Sequence, residues 1–283
     1  MIDQATELRK LVLRALREQP FSTGPPPRVI VLTGGTRGVG VTTIAVNLAV
    51  AMAEQGSRVV LVDADIHSSD VALLCGMKDY QPRAASSEAR RDIHEVLHRG
   101  PGGIQIVPGP RAPGGDERSP HTLFVGDISD ERFQRQILTL GRHADIVILD
   151  LGSGNGELLR RYSATADEVL LVTTPANAAV MDAYARIKTD LALAAERSLR
   201  LVVNLSTDEL PGAEVHRRID GSCRKFLDTT IELAGHIPRD EAAIRGATRS
   251  IPFVLGEPFS AASQAIGRLA SNLAFAPRRA RTA

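Results

Sequence analysis

The chain has 283 residues, 43% apolar and 24% charged, with a net charge of +1. That is ample for one large α/β domain with its own core, and the near-neutral balance gives no global electrostatic case for nucleic acid. Cys75 and Cys223 stand far apart with no CxxC, which speaks against a disulfide framework or a zinc site and fits a reducing cytoplasm; a signal-type apolar run and a segment of transmembrane length are both missing from the sequence.

Residues 3–18 predict a short amphipathic helix. Leu8, Leu11, Val12, Ala15 and Leu16 fall at helical spacing, Asp3 is placed to cap it, and Arg9, Lys10, Arg14 and Arg17 lie mostly off the apolar stripe. Phe21 to Pro27 contains Gly-Pro-Pro-Pro, which cannot continue a helix and reads as a stiff linker. The expected organisation is therefore a helical appendage over 1–20, a linker over 21–27, one domain over 28–275 and a basic tail over 276–283. Within the domain, apolar runs at 29–33, 58–62, 104–107, 145–149, 168–173, 201–204 and 231–237 alternate with helical stretches. Most of these runs are Val/Ile/Leu-rich without alternation, as strands buried on both faces should be. The fold expected is a mostly parallel twisted sheet with helices on both faces. Residues 78–91 and 109–119 read as polar loops.

After the first run comes Gly34-Gly-Thr-Arg-Gly-Val-Gly-Val-Thr-Thr43. A glycine-rich turn between a strand and a helix lets backbone N–H groups converge on phosphate oxygens, and the helix adds its positive end. Gly35, Gly38 and Gly40 build the turn, and Thr42 and Thr43 open the helix, with Thr42 placed to ligate Mg²⁺. The frame Gly-x-x-x-x-Gly-Lys-Ser/Thr maps onto Gly35–Thr42, with Val41 where the lysine belongs.

Three further stretches carry carboxylates or amides at strand ends. Val59-Val-Leu-Val-Asp63-Ala-Asp65 ends in two carboxylates that are costly to bury unless something uses them. Asp63 is a candidate for the metal shell and Asp65 for orienting an attacking water, although Asp also caps helices and turns. Ile146-Val-Ile-Leu-Asp150-Leu-Gly-Ser-Gly154 has the pattern in which an acidic residue reaches Mg²⁺. Asn204 closes a strand and has an amide able to pair with an adenine edge or to cap; Ile237-Pro-Arg-Asp240 follows it downstream, and Asp240 joins the candidate nucleotide-binding residues.

In this order the motifs resemble the MinD/ParA class of deviant-Walker P-loop ATPases. Within it, three stretches are similar to the flagellar-placement branch (FlhG, FleN or YlxH): Asp3-Gln4-Ala5-x-x-Leu8-Arg9, the segment Gly100 to Gly109, and Glu168 to Pro175 continuing through Asp182-Ala-Tyr184 to Lys188. The resemblance implies an ATP- and Mg²⁺-dependent homodimerising switch. It also implies peripheral attachment at the inner face of the membrane by a C-terminal amphipathic helix, an FlhF-like GTPase partner engaged through residues 3–17, and contacts with flagellar-switch or polar proteins.

The chain departs from the family loop K-G-G-x-G-K-T at both lysines. Thr36 replaces the one that reaches across the dimer, Val41 the one on the β/γ-phosphates, and Arg37 stands where a glycine belongs. One charge-assisted hydrogen bond contributes about 1.5–3 kcal/mol, so phosphate affinity is expected to drop roughly ten- to a hundred-fold. Hydrolysis should suffer more, because phosphoryl transfer depends chiefly on electrostatic stabilisation. The expectation is a regulator acting as a protein-interaction module, with weak ATP·Mg²⁺ binding and impaired hydrolysis. The alternative is a working switch in which Arg37 substitutes for the lysines. Near the C-terminus, Ile266, Leu269, Ala270, Leu273 and Phe275 form a weak apolar stripe that suits either a membrane surface or docking onto the domain. His94 and His98 at i, i+4 lack a further ligand nearby in sequence.

Overall fold

The computed structural model describes residues 25–65, 67–68, 70–77, 92–109, 122–123, 126–127, 131–154, 156–191, 199–208 and 211–274. The expected helix over 3–18 with Asp3, Gln4, Ala5, Leu8 and Arg9, most of the linker, the loops at 78–91 and 110–119, Phe275 and the tail over 276–283 lie outside the described residues.

All seven expected strands form, in one eight-stranded sheet. In chain order they are β1 (Arg28–Gly34), β2 (Val59–Asp63), β3 (His98–Arg99), β4 (Gln105–Val107), β7 (Ile146–Asp150), β8 (Glu168–Thr173), β9 (Leu199–Ser206) and β10 (Glu232–Pro238). The spatial order is β10-β9-β8-β1-β7-β2-β4-β3, parallel throughout except for the β3–β4 edge pair. The two-residue edge strand β3 and a separate hairpin, β5 (Thr122–Leu123) with β6 (Gly126–Asp127), are too short to leave a pattern in the sequence.

Each central strand divides its apolar residues between two cores. Val29 and Val31 of β1 face one, and Ile30 and Leu32 face the other. This double burial is why the strands read as unbroken apolar runs. One core is closed by α3 (Glu131–Thr139), α4 (Gly156–Thr165), α5 (Asn177–Asp190) and α6 (Gly212–Leu227), through Phe133, Leu159, Ile187 and Ile219. The other is closed by α1 (Val41–Glu54) with the last helices. These are α7 (Glu241–Arg249), the single turn α8 (Phe253–Gly256) and α9 (Ala261–Ala274); the short α2 (Val71–Leu74) lies beside them.

The apolar stripe near the C-terminus resolves in favour of docking. Ile266, Leu269, Ala270 and Leu273 are all fully buried in the core that contains α1. These side chains are held in the domain interior, so α9 offers no stripe for a membrane surface. No described helix is long and apolar enough to cross a membrane.

Candidate functional site

The register brings the candidate residues to one end of the sheet. Leu32 of β1 and Asp63 of β2 both pair with Asp150 of the strand between them. Asp63 and Asp150 therefore end neighbouring strands side by side, beneath the glycine turn that follows β1.

The turn has the backbone of a phosphate cradle. Gly40 sits at φ +92°, caps α1 without any side-chain hydrogen bond, and leaves the first-turn N–H groups of α1 open to an anion. Only glycine fits at this position: a Cβ would lie 2.3 Å from the Asn204 amide nitrogen. Gly38 is also at positive φ, and Gly35 packs directly on the α5 backbone at Asp182 and Ala183. The turn opens on a cavity of about 620 Å³ that it lines with Arg37, Gly38, Gly40, Thr42 and Thr43; Asp65 and Gly152 line other walls.

Val41 occupies the lysine position as a core residue. Its side chain is only 6% exposed, packs with the α1 core, and comes within 2.9 Å of where a Cβ on Gly34 would stand. None of the described residues lining the cavity is a lysine. Thr36 and Arg37 line it, and Arg37 is solvent-exposed.

The carboxylates are buried, and among the described residues none of them forms an ion pair. Asp63 and Asp150 are both fully buried, and each has one side-chain oxygen, Oδ2, without a hydrogen-bond partner. Burial, then the charge of Asp150, pushes the Asp63 carboxyl well above its usual range. Burial likewise raises Asp150 to about 7, against the opposing pull of the Thr42 hydroxyl and the Gly152 N–H. Asp150 Oδ1 accepts from Gly152 N at 3.0 Å; Thr42 bears on its charge without a well-aligned hydrogen bond to Oδ2. Asp65 is buried too and raised by that burial; its Oδ1 accepts from His67 N at 2.9 Å, and the Arg37 charge partly offsets the shift. Gly152, at φ +57°, lets the chain pass so close that a Cβ there would stand 2.1 Å from Asp65 Oδ2.

An orphaned carboxylate oxygen beside a threonine hydroxyl fits a hard divalent cation. Thr42 lines the cavity; Asp63 and Asp150 lie behind its wall. Among the described residues no cluster of three or more His, Cys, Asp and Glu side chains could hold a metal by themselves.

Two residues expected at the nucleotide are engaged by the protein itself. Asn204 donates its amide N–H to the Val39 carbonyl at 2.9 Å, so it holds the glycine turn from below. Asp240 caps α7: Oδ1 accepts from Ala242 N at 2.9 Å and Oδ2 from Ala262 N at 3.0 Å, so the carboxylate ties α7 to α9 and is held below its usual range by those bonds. Neither lines the cavity. A single strand-end Asn or loop Asp does not reveal in sequence that a backbone group from a distant segment will claim it.

Sequence reasoning passed over His67, Ser68, Asp70 and Ser153, which also line the cavity. His67 and Asp70 follow Asp65 by two and five residues, which is the only signal they offered. Arg186 was likewise missed; it donates to the Ser153 carbonyl and pairs with Asp190, bracing the loop after β7. His94 meets His143 at 5.0 Å between ring centroids, and burial lowers it to about 4. Burial also raises Cys75 to about 12, which leaves an inert thiol.

Comparison with known proteins agrees with this architecture. Residues 30–253 match the CobQ/CobB/MinD/ParA nucleotide binding domain family. The chain is 30% identical over 248 residues to the antiactivator FleN of Pseudomonas aeruginosa, covering 88% of this chain and 86% of that one. It is 28% identical to a putative septum site-determining protein MinD of Guillardia theta, over 82% of this chain and 83% of that one. Among solved structures, the cell division ATPase MinD of Pyrococcus furiosus superposes with a TM-score of 0.69 at 22% identity, covering 87% of this chain and 98% of that one. MinD of Pyrococcus horikoshii complexed with Mg-ADP gives the same score and identity, covering 96% of its own chain.

Proposed function

The chain belongs to the CobQ/CobB/MinD/ParA nucleotide-binding family, and within it we propose that this protein is a regulator of flagellar number, placement or pole organisation that acts by binding other proteins. In this reading its nucleotide site binds ATP·Mg²⁺ weakly and hydrolyses it slowly or not at all. The observation that carries the reading is Val41, an apolar side chain buried where the phosphate-binding lysine belongs. The likeness to an antiactivator supports the flagellar assignment. The partners proposed are an FlhF-like GTPase, engaged through residues 3–17, flagellar or polar proteins, and a second copy of the chain.

The residues that remain suit a nucleotide bound without strong catalysis. The backbone N–H groups of the turn and of the first turn of α1 would bind phosphate oxygens. Thr42 and Asp150 would hold Mg²⁺, which when bound neutralises phosphate charge. Asp65, which lines the cavity and accepts from His67 N, would orient water. Without a lysine, little cationic charge faces a transferring phosphoryl group, and that stabilisation is the main source of rate in this chemistry.

Calorimetry with ATP·Mg²⁺ and a phosphate-release assay on wild type and Val41→Lys test the proposal. The expected result is wild-type turnover near background, with ATP binding at least about tenfold tighter in Val41→Lys. Robust wild-type turnover that Asp65→Ala abolishes would sink the proposal. It would favour the second reading, a working switch that uses Arg37, which lines the cavity and acts on the Asp65 charge.

A further inference from the structure

Val41 leaves the cavity short of positive charge, and the described residues that line it supply two groups able to carry it. One is Arg37, on the glycine turn; the other is His67, on the segment after β2. They come from separate loops and converge on one carboxylate. Asp65 Oδ1 accepts the His67 backbone N–H at 2.9 Å, and both the His67 and the Arg37 charges act on Asp65. Both side chains are exposed. They can therefore reorient toward a ligand without breaking any core packing.

We propose that His67 and Arg37 form the anion-binding pair of this cavity and take the phosphate tail of a nucleotide in place of the absent lysine. The proposal rests on the reading that nucleotide binding is weak but retained, and it identifies what supplies the remaining affinity. The glycine turn contributes N–H donors without a net charge. Among the described residues that line the cavity, the other charged groups are acidic. Asp65 lies between them and Asp70 lines the same cavity, bonded to the Ser68 hydroxyl; Asp63 and Asp150 are buried behind the wall. An anion entering this acidic setting needs cations from the rim, and Arg37 and His67 are the cavity-lining residues able to supply them. Phosphate affinity should therefore fall when either side chain is removed.

The test is calorimetric titration of the full chain with ADP plus Mg²⁺, and separately with pyrophosphate plus Mg²⁺, at pH 6. Each variant is compared with wild type on the same ligand. His67→Gln is expected to weaken binding roughly three- to tenfold, and Arg37→Gln by a similar factor. Both probes should depend on His67 equally, since they share the phosphates. The proposal is overturned if His67→Gln binds like wild type at pH 6, if wild type binds neither probe at millimolar concentration, or if the dependence appears with ADP alone, which would place His67 at the nucleoside. Hydrolysis by the wild type, assayed in parallel, bears only on the functional reading above.

Discussion

The two ends of the sheet bury charge in opposite ways. At the N-terminal ends of the strands, Arg28 of β1 pairs with Glu168 of β8, and Arg200 of β9 pairs with Glu168 and with Glu232 of β10. Arg28 also donates to the carbonyl of Leu273, near the end of α9. Arg28 and Glu168 are both almost fully buried, and their charges are matched. At the C-terminal ends, Asp63, Asp65 and Asp150 are buried with no arginine or lysine paired to them among the described residues, and two of their oxygens have no partner. One fold thus contains a charge-matched ionic clasp and an acidic site without such ion pairs among the described residues. A matched buried pair holds elements together, whereas buried charge left unmatched carries a cost that persists only where something else uses it. The difference makes the glycine-turn end of the sheet the candidate functional end without reference to any motif.

Three substitutions test this contrast, from the largest effect to the smallest. Arg28→Ala removes one of the two arginines paired with Glu168 among the described residues and frees the end of α9. It should cost about 3–5 kcal/mol in urea unfolding, and a loss under 1 kcal/mol would mean the clasp is not structural. Asp150→Asn should act in the opposite direction. The folded-state pKa of Asp150, about 7, lies above the ordinary 3.8, so the folded protein retains a proton that the unfolded chain releases. The stability tied to that proton is complete below about pH 4 and lost as pH rises to about 7. At pH 8 without metal, Asp150→Asn should therefore be more stable than the parent, by up to about 4 kcal/mol, with the gain shrinking toward pH 4. A destabilised variant at pH 8 would show that the carboxylate is matched after all. Gly40→Ala should cost about 1–3 kcal/mol through its left-handed backbone, and its Cβ would displace the Asn204 amide from beneath the turn. If this variant keeps both full stability and wild-type nucleotide affinity, the turn is not the rigid cradle described above.

Much of this architecture was legible in the residues. The seven long strands announced themselves as apolar runs because both faces of the sheet are covered, and the order of glycine turn, Asp63-Ala-Asp65 and Asp150 pointed to the candidate site. The short strands were not legible, since two residues carry no period. Nor were the partners of Asn204 and Asp240. These side chains bond to backbone groups 165 and 22 residues away, at Val39 and Ala262, and such pairings exist only once the chain has folded.

The local rules of the chain determined on their own that a strand, a phosphate-shaped turn and a helix follow one another from Arg28, and that no lysine stands within that turn. These are matters of backbone freedom and side-chain chemistry, which sequence states directly. Tertiary structure alone decided what became of the missing charge. It buried Val41 against Gly34, drew the α9 stripe into the core, and brought His67 to the same cavity as Arg37. Burial and charge balance depend on which distant segments meet, and the sheet order sets those meetings.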